Sequence, residues 1–382
     1  MRDIRIAVLT PLVWRPQKAN FRRVYELLSE RFEGAVFTLS EPGHSGSWVG
    51  SFYFMSARGR GFLGKLYRLW VQTAGVLWEA LRRGTFDVIM VYDPYASGAA
   101  GACVAKVLGS RLIVEMNGDY HEVEPRGRHW KQQVMSMVMH QVMRRADGIR
   151  VLNRSQEAYV RSHYPHAKIF RFADFTPVNI FLSSAPSYEP YFLFVGYPFH
   201  LKGVDILIKA FRLVHKEYPD LRLRIMGHCP PPEDEPFRQL AAECPNIEFV
   251  PPAWIDDVAR EMRGALALVN PARTEAMGRV HIEAMASAKP VVASRTNGAR
   301  EIVQPGQTGL LVNIDDVDDL AKGLKWIAEN PEAARQMGER GRERAMKLYS
   351  EEIYRDNVTS MFLSVLGSSR NTPAPRPPVS GA

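Results

Sequence analysis

Twelve short apolar runs recur along this chain, and most of them do not alternate polar with apolar residues. The first six are "IRIAVL" (4–9), "AVFTL" (35–39), "DVIMVY" (87–92), "RLIVEM" (111–116), "GIRVL" (148–152) and "AKIFRF" (167–172). The second six are "YFLFVG" (191–196), "LRLRIMG" (221–227), "IEFV" (247–250), "ALALV" (265–269), "PVVAS" (290–294) and "GLLV" (309–312). Helix-period segments lie between most of them. A strand buried on both faces reads as an unbroken Val/Ile/Leu run, and strands spaced by helices pair in parallel under two helical layers. The pattern predicts an α/β chain of two doubly wound domains in tandem, which suits 382 residues better than one core does.

The break between the domains is expected in "FTPVNIFLSSAPSYEP" (175–190), rich in Pro and Ser and without helical period. That divides the chain into 1–180 and 181–349. A last helical pattern follows at 350–366, and the Pro/Ser tail 367–382 holds too few apolar residues to pack, so disorder is expected there.

Charge separates the halves. Residues 1–180 hold 25 Lys and Arg against 15 Asp and Glu, whereas 181–382 hold 24 against 26. Different tasks for the two halves are implied. Cys103, Cys229 and Cys244 have neither CxxC nor metal-ligand spacing, which fits a reducing compartment and excludes a disulfide framework. "MRDIRIAVLTP" leads straight into an apolar run and does not read as a signal peptide. Segment 62–81 carries Lys65, Arg68 and Glu79 and is too interrupted to span a bilayer. A cytoplasmic location is expected.

The segment with the sharpest chemistry is "TEAMGRVHIEAMA" (274–286). Gly278 ends a loop, and a helix is expected from Arg279 to about Ser287. Val280, Glu283, Ala284 and Ser287 then share one face. An unpaired buried carboxylate costs several kcal/mol, so Glu283 requires donors. The free N–H groups around Met277, Gly278 and Arg279 suit a phosphate. Two readings stand on spacing alone. Glu275 and Glu283 grip the hydroxyls of a sugar nucleotide, or Glu275 is a loop acid and Glu283 pairs with a nearby cation. In "VGYPFHLKGVDILIKAF" (195–211), Lys202 precedes a helix, the wrong sign for its dipole unless an anion lies there too. Lys202 and Glu275 both follow strands of one parallel sheet, at the edge where such sheets bind ligands.

In these residues, together with "RIMG" (224–227), "NPARTEAMGRVHIEAMASAKPVVAS" (270–294), "NGAREIV" (297–303) and "QTGLLV" (307–312), the chain resembles the retaining glycosyltransferases of family 4. The likeness covers roughly 191–350 and is weaker at 86–119 and 144–155. It implies a GT-B fold, two Rossmann-like domains facing a cleft, with a C-terminal helix crossing back to the first. It further implies a hexosyltransferase in which Glu275 holds hydroxyls of the transferred sugar and Glu283 the ribose. Lys202 would hold the diphosphate, with the amides of Met277, Gly278 and Arg279 and the Gly196-Tyr197 turn beside it. The substrates implied are a nucleoside-diphosphate sugar donor and a glycan or lipid-linked acceptor, as in cell-envelope or extracellular polysaccharide synthesis. No metal, other cofactor or nucleic acid is called for, and "DDVDD" (315–319) reads as the acidic first turn of a helix.

Three positions depart from the family pattern. Tyr197 stands where an arginine is usual, with Arg273 and Arg279 as possible substitutes. "WRPQKANFRRVY" (14–25) replaces paired glycines in the first loop. Asn117-Gly118 replaces a His-Gly pair, and His121 lies nearby out of register. Asn117, His121, Arg15 and Lys18 are the acceptor-side candidates. A non-catalytic sugar-nucleotide or glycan binder, or a GT-B epimerase or phosphorylase, are the alternatives. A dinucleotide oxidoreductase is disfavoured because no GxGxxG follows the first strand. Finally, "RGRGFLGKLYRLWVQTAGVLWEALRRG" (58–84) mixes Trp70 and Trp78 with six Arg and Lys. It reads either as a core helix of the first domain or as a segment lying peripherally on an anionic membrane.

Overall fold

The computed structural model describes residues 4–14, 19–40, 46–57, 61–120, 130–182, 186–251 and 254–367. Arg15, Lys18, His121, Arg58, Arg60 and the tail beyond Gly367 lie outside them. The chain divides into two compact units. One runs to Phe172 and resumes at Tyr354; the other is Ala173–Ile353.

In the first unit the strands are β1 (Ile4–Trp14), β2 (Phe32–Ser40), β3 (Ser47–Val49), β4 (Phe52–Ala57), β5 (Val88–Val91), β6 (Arg111–Glu115), β7 (Gly148–Val151) and β8 (Lys168–Arg171). They form one sheet in the order β3-β4-β2-β1-β5-β6-β7-β8. Every neighbouring pair is parallel except β3 and β4. The six expected runs are all strands. The antiparallel β3–β4 edge was not anticipated: its turn at Gly50, with φ of 55°, lies in a short stretch mixing Ser, Gly and aromatics.

The second unit holds β9 (Tyr191–Val195), β10 (Arg222–Met226), β11 (Ile247–Val250), β12 (Ala267–Asn270), β13 (Val291–Ser294) and β14 (Gly309–Val312). Their order is β11-β10-β9-β12-β13-β14, parallel throughout. From β9 the chain winds outward through β10 and β11, then returns to lay β12 on the other side of β9. The loops after β9 and β12 therefore diverge at a topological switch point, where an open α/β sheet leaves a crevice.

Each sheet is sealed by apolar helix faces. Phe192, Phe194, Leu223, Ile225, Val269 and Val292 meet Leu207, Phe211 and Leu324 in the second unit. In the first, Leu9, Phe37, Val91 and Val114 meet Val76, Val104 and Val142. The last helix, Glu351–Leu366, returns to the first unit, where Phe362 meets Phe32 edge-on at 5.2 Å and Tyr354 meets Phe172 at 6.2 Å. Phe362 is fully buried. Phe362→Ala should destabilise the first unit by about 3–5 kcal/mol, the range for a buried aromatic truncated to a cavity. A urea titration followed by a probe in that unit would show the lowered midpoint.

Candidate functional site

The site residues of the second unit gather at the switch point, where glycines permit close approach. Gly203, at φ of 70°, caps the helix Val204–His215, and a β-carbon there would lie 2.0 Å from the Pro271 carbonyl oxygen. Gly278, at φ of 82°, caps the helix Arg279–Ala286, and a β-carbon there would lie 2.4 Å from Nδ1 of His281. A side chain at 203 would drive the two loops apart, and one at 278 would displace the His281 ring, besides straining a left-handed backbone at both. The Arg273 amide also donates to the Leu201 carbonyl at 3.0 Å, tying the loop after β12 to the one after β9.

Within this frame Lys202 Nζ donates to Glu275 Oε2 at 2.5 Å, both side chains mostly buried. Behind Glu275 stands the helix Asn297–Ile302, capped by Thr296. The Gly298 amide donates to the Glu275 carbonyl at 2.8 Å, and a β-carbon on Gly298 would lie 2.5 Å from the Met277 backbone. Met277 is further fixed by its sulfur, which accepts from the Asp174 amide at 3.1 Å. The helix beginning at Arg279 has a glycine cap and no side-chain cap; the His281 amide turns back to the Gly278 carbonyl at 2.9 Å, and the amides before it suit an external acceptor. Gly196 stands at the end of β9 beside the Lys202 stem.

Glu283 is buried one turn into that helix. Burial raises its pKa, while the Arg279 guanidinium, with Nε at 3.2 Å from Oε1, pulls it back. Of the two expected readings, this contact supplies the nearby cation, Arg279, and leaves the ligand-gripping role to be tested. Arg279 remains 53% exposed. Arg273, the other candidate for the missing cation, is already engaged. It forms two 2.8 Å bonds to Asp205, one of 2.7 Å to Asp315, and another to the His200 carbonyl. Desolvation alone would raise the Asp205 pKa, but these bonds from Arg273 hold it below the usual carboxylate range. Tyr197 is exposed, its hydroxyl donating to Glu233 at 3.2 Å. Asp315–Asp319 enters a helix as expected, with Asp316 capping Val317–Glu329. Among the described residues no group of three or more His, Cys, Asp or Glu is placed to hold a metal.

In the first unit, Asn117 follows β6, and its Nδ2 donates to the Tyr92 carbonyl at 2.9 Å. The Asn117 Oδ1 and the Asp93 Oδ2 are buried and without a hydrogen-bond partner among the described residues. Asp119 is fixed by Asn153 and Gln156, each donating at 3.0 Å. Sequence reasoning passed over Asp93, whose side chain reads as a helix-start acid and does accept from the Tyr95 amide.

His281 was also missed. It lies beneath the Gly278 turn, 1% exposed, and its Nε2 meets Asn270 Nδ2 at 2.8 Å. With the Asn270 amide donating, Nε2 accepts and the proton rests on Nδ1. Only its position between the two glutamates hinted at this in the sequence.

Residues 18–172 match the family model for the glycosyl transferase 4-like domain, and residues 179–344 match glycosyl transferases group 1. The chain belongs to the GT-B glycosyltransferases. An uncharacterized glycosyltransferase of Haemophilus influenzae is 32% identical over 178 residues, 46% of this chain and 48% of that protein. The chain spans about half the length of the first curated relatives it matches. Among solved structures, sucrose-phosphate synthase of Thermosynechococcus elongatus superposes with a TM-score of 0.82 at 21% identity, over 96% of this chain and 100% of that one. Anabaena HepE in complex with UDP gives 0.76 at 16% identity, over 94% and 100%. At these identities the structural likeness is one of fold.

Burial holds the His281 imidazole down to about 4 from 6.5. Between those values the unfolded chain carries a proton that the folded site refuses. Stability is therefore fully present above pH 6.5 and falls as the pH drops toward 4, by up to about 3 kcal/mol. His281→Gln keeps an acceptor for Asn270 and removes the titration. Urea midpoints for the second unit should then vary less with pH in that window than in the parent protein.

Proposed function

We infer that this chain is a retaining hexosyltransferase. It moves a sugar from a nucleoside-diphosphate donor to a hydroxyl of a glycan or lipid-linked acceptor in cell-envelope or extracellular polysaccharide synthesis, acting on the cytoplasmic side. The observation that carries the reading is the Lys202–Glu275 pair under the Gly278 amide turn, with Glu283 buried eight residues on, at the switch point of a parallel sheet. The UDP held by HepE, a protein of the same fold, supports a nucleotide donor.

In the proposed reaction the bond from the anomeric carbon to the diphosphate oxygen breaks, and its electron pair leaves with the phosphate. Lys202 and the amides of Met277, Gly278 and Arg279 would stabilise that growing charge, the largest single contribution in such chemistry. The acceptor hydroxyl attacks from the same face, and its proton passes to the departing phosphate oxygen. Glu275 would then release Lys202 to hold sugar hydroxyls, while Glu283 exchanges Arg279 for the ribose. No metal or other cofactor is required by this scheme.

Arg279, released from Glu283, is the cation available to stand in for the arginine absent at Tyr197. Arg279→Ala should weaken binding of a nucleoside diphosphate about tenfold, the scale of one charge-assisted contact, while a nucleoside without phosphates binds as well or better. Calorimetric titration with both ligand types reads the difference, and equal losses for both would contradict it.

Glu275→Gln should lower diphosphate release from the preferred donor by about 100-fold or more, with the thermal midpoint preserved. A coupled diphosphate-release assay over a donor panel measures this. Tyr197 and Asn117 favour a second reading, a binder that does not turn the donor over. Donor-induced thermal stabilisation with no diphosphate release in any acceptor mixture would establish it instead.

A further inference from the structure

We propose that His281 is a positioning residue for the diphosphate of the donor, presenting a buried N–H dipole beneath the Gly278 turn. The inference rests on the proposed donor site and adds to it a group that touches neither sugar nor nucleotide. His281 stands in the first turn of the helix Arg279–Ala286, between the two glutamates, and is 1% exposed. Its ring spans two elements. At one edge Nε2 meets Nδ2 of Asn270, the last residue of β12, at 2.8 Å. At the other, Nδ1 is the atom nearest to where Gly278 would carry a β-carbon, 2.4 Å away, and Cγ of Glu275 flanks the same point at 3.2 Å. The imidazole thus fills the space that the glycine leaves, directly under the turn whose amides are proposed to receive the phosphates.

Two features separate this ring from an ordinary core filler. Glu283 apart, the same helix buries only apolar side chains beside it, Ile282, Ala284, Met285 and Ala286. Apolar residues at 281 and 270 would fill the same room and leave nothing unpaired. Instead His281 Nδ1 and Asn270 Oδ1 are both buried without a hydrogen-bond partner among the described residues. Such atoms cost stability, so their retention calls for a use. The Asn270 contact also sets the tautomer: with its amide donating, Nε2 accepts and Nδ1 carries the proton. The unpaired atom is therefore a donor, with its positive end toward the turn. Burial holds the pKa down to about 4, which keeps the ring neutral near pH 7; Glu275 pulls it up and Lys202 pushes it down, so the ring stands in the field of both. A neutral, fixed dipole favours an anion above it without adding a second buried charge, and it need not reorganise when the anion arrives. Gly278 belongs to the same arrangement, since a side chain there would displace the ring.

Calorimetric titration of the full chain with uridine, guanosine and adenosine diphosphates, each beside its nucleoside, tests the assignment. A packing role would affect both ligands alike or neither. Asn270→Leu with His281→Leu replaces both partners by apolar groups and should keep or raise the thermal midpoint. It should weaken the preferred diphosphate about tenfold and leave the nucleoside unchanged. His281→Gln retains the Asn270 contact and loses the N–H under the turn. It should show the same selective loss, which keeps the test standing if the double variant folds poorly. His281→Asn, whose amide nitrogen reaches the Nδ1 position, should keep more of the diphosphate affinity than His281→Gln. Nitrogen NMR shifts of the imidazole should place the proton on Nδ1. Parental diphosphate affinity in the double variant and in His281→Gln overturns the proposal, as does an equal loss of both ligands, or a proton on Nε2. A parent chain that binds the nucleosides but no diphosphate more tightly overturns the donor site itself, and this inference with it.

Discussion

The proposed donor site depends on two close approaches of backbone to backbone. The Pro271 carbonyl lies where residue 203 would carry a β-carbon, and the Met277 backbone lies where residue 298 would carry one. Only glycine permits either approach. The gain is positional: Lys202 leaves one loop, Glu275 another, and they meet at hydrogen-bond distance because the chains beneath them are in van der Waals contact. Flexible side chains fixed by close-packed backbone lose little further entropy on binding, which is how such a site is preorganised.

The charges around this site are paired with one another within the fold. Lys202 faces Glu275, Arg279 faces Glu283, and Arg273 binds Asp205 and Asp315. These pairs differ in how easily they part. Arg273 makes a bidentate clamp plus two further contacts and belongs to the scaffold. Arg279 makes a single 3.2 Å contact from a half-exposed position and is the group that can exchange partners. On the proposed reading, a donor carrying both hydroxyls and phosphates replaces each internal pair with two external ones. No charge is left buried alone, which would otherwise cost several kcal/mol.

Much of this was legible before any coordinates. All twelve apolar runs are strands, because a parallel strand covered on both faces has almost no freedom in composition. The two glutamates were legible because a carboxylate inside "IEAMA" conflicts with its surroundings and such conflicts mark function. The β3–β4 edge was not, since a three-residue strand paired on one side leaves little pattern. Nor was the role of Gly298, whose contact is with a backbone some twenty residues away in sequence, or the engagement of Arg273 by Asp315. His281 escaped for a related reason. Its neighbours in sequence are the helix, but its partner is Asn270 at the end of a strand, and pairing of that kind is a property of the folded chain.

The long helix Gly61–Arg83 reads in sequence as core or membrane, and its packing shows the core-facing stripe. Val76 and Ala80 face the sheet while Trp70, Trp78 and Leu81 face away, so one helix has two apolar stripes with different destinations. A single hydrophobic stripe explains folding; a second, on the solvent side, lowers solubility unless something covers it.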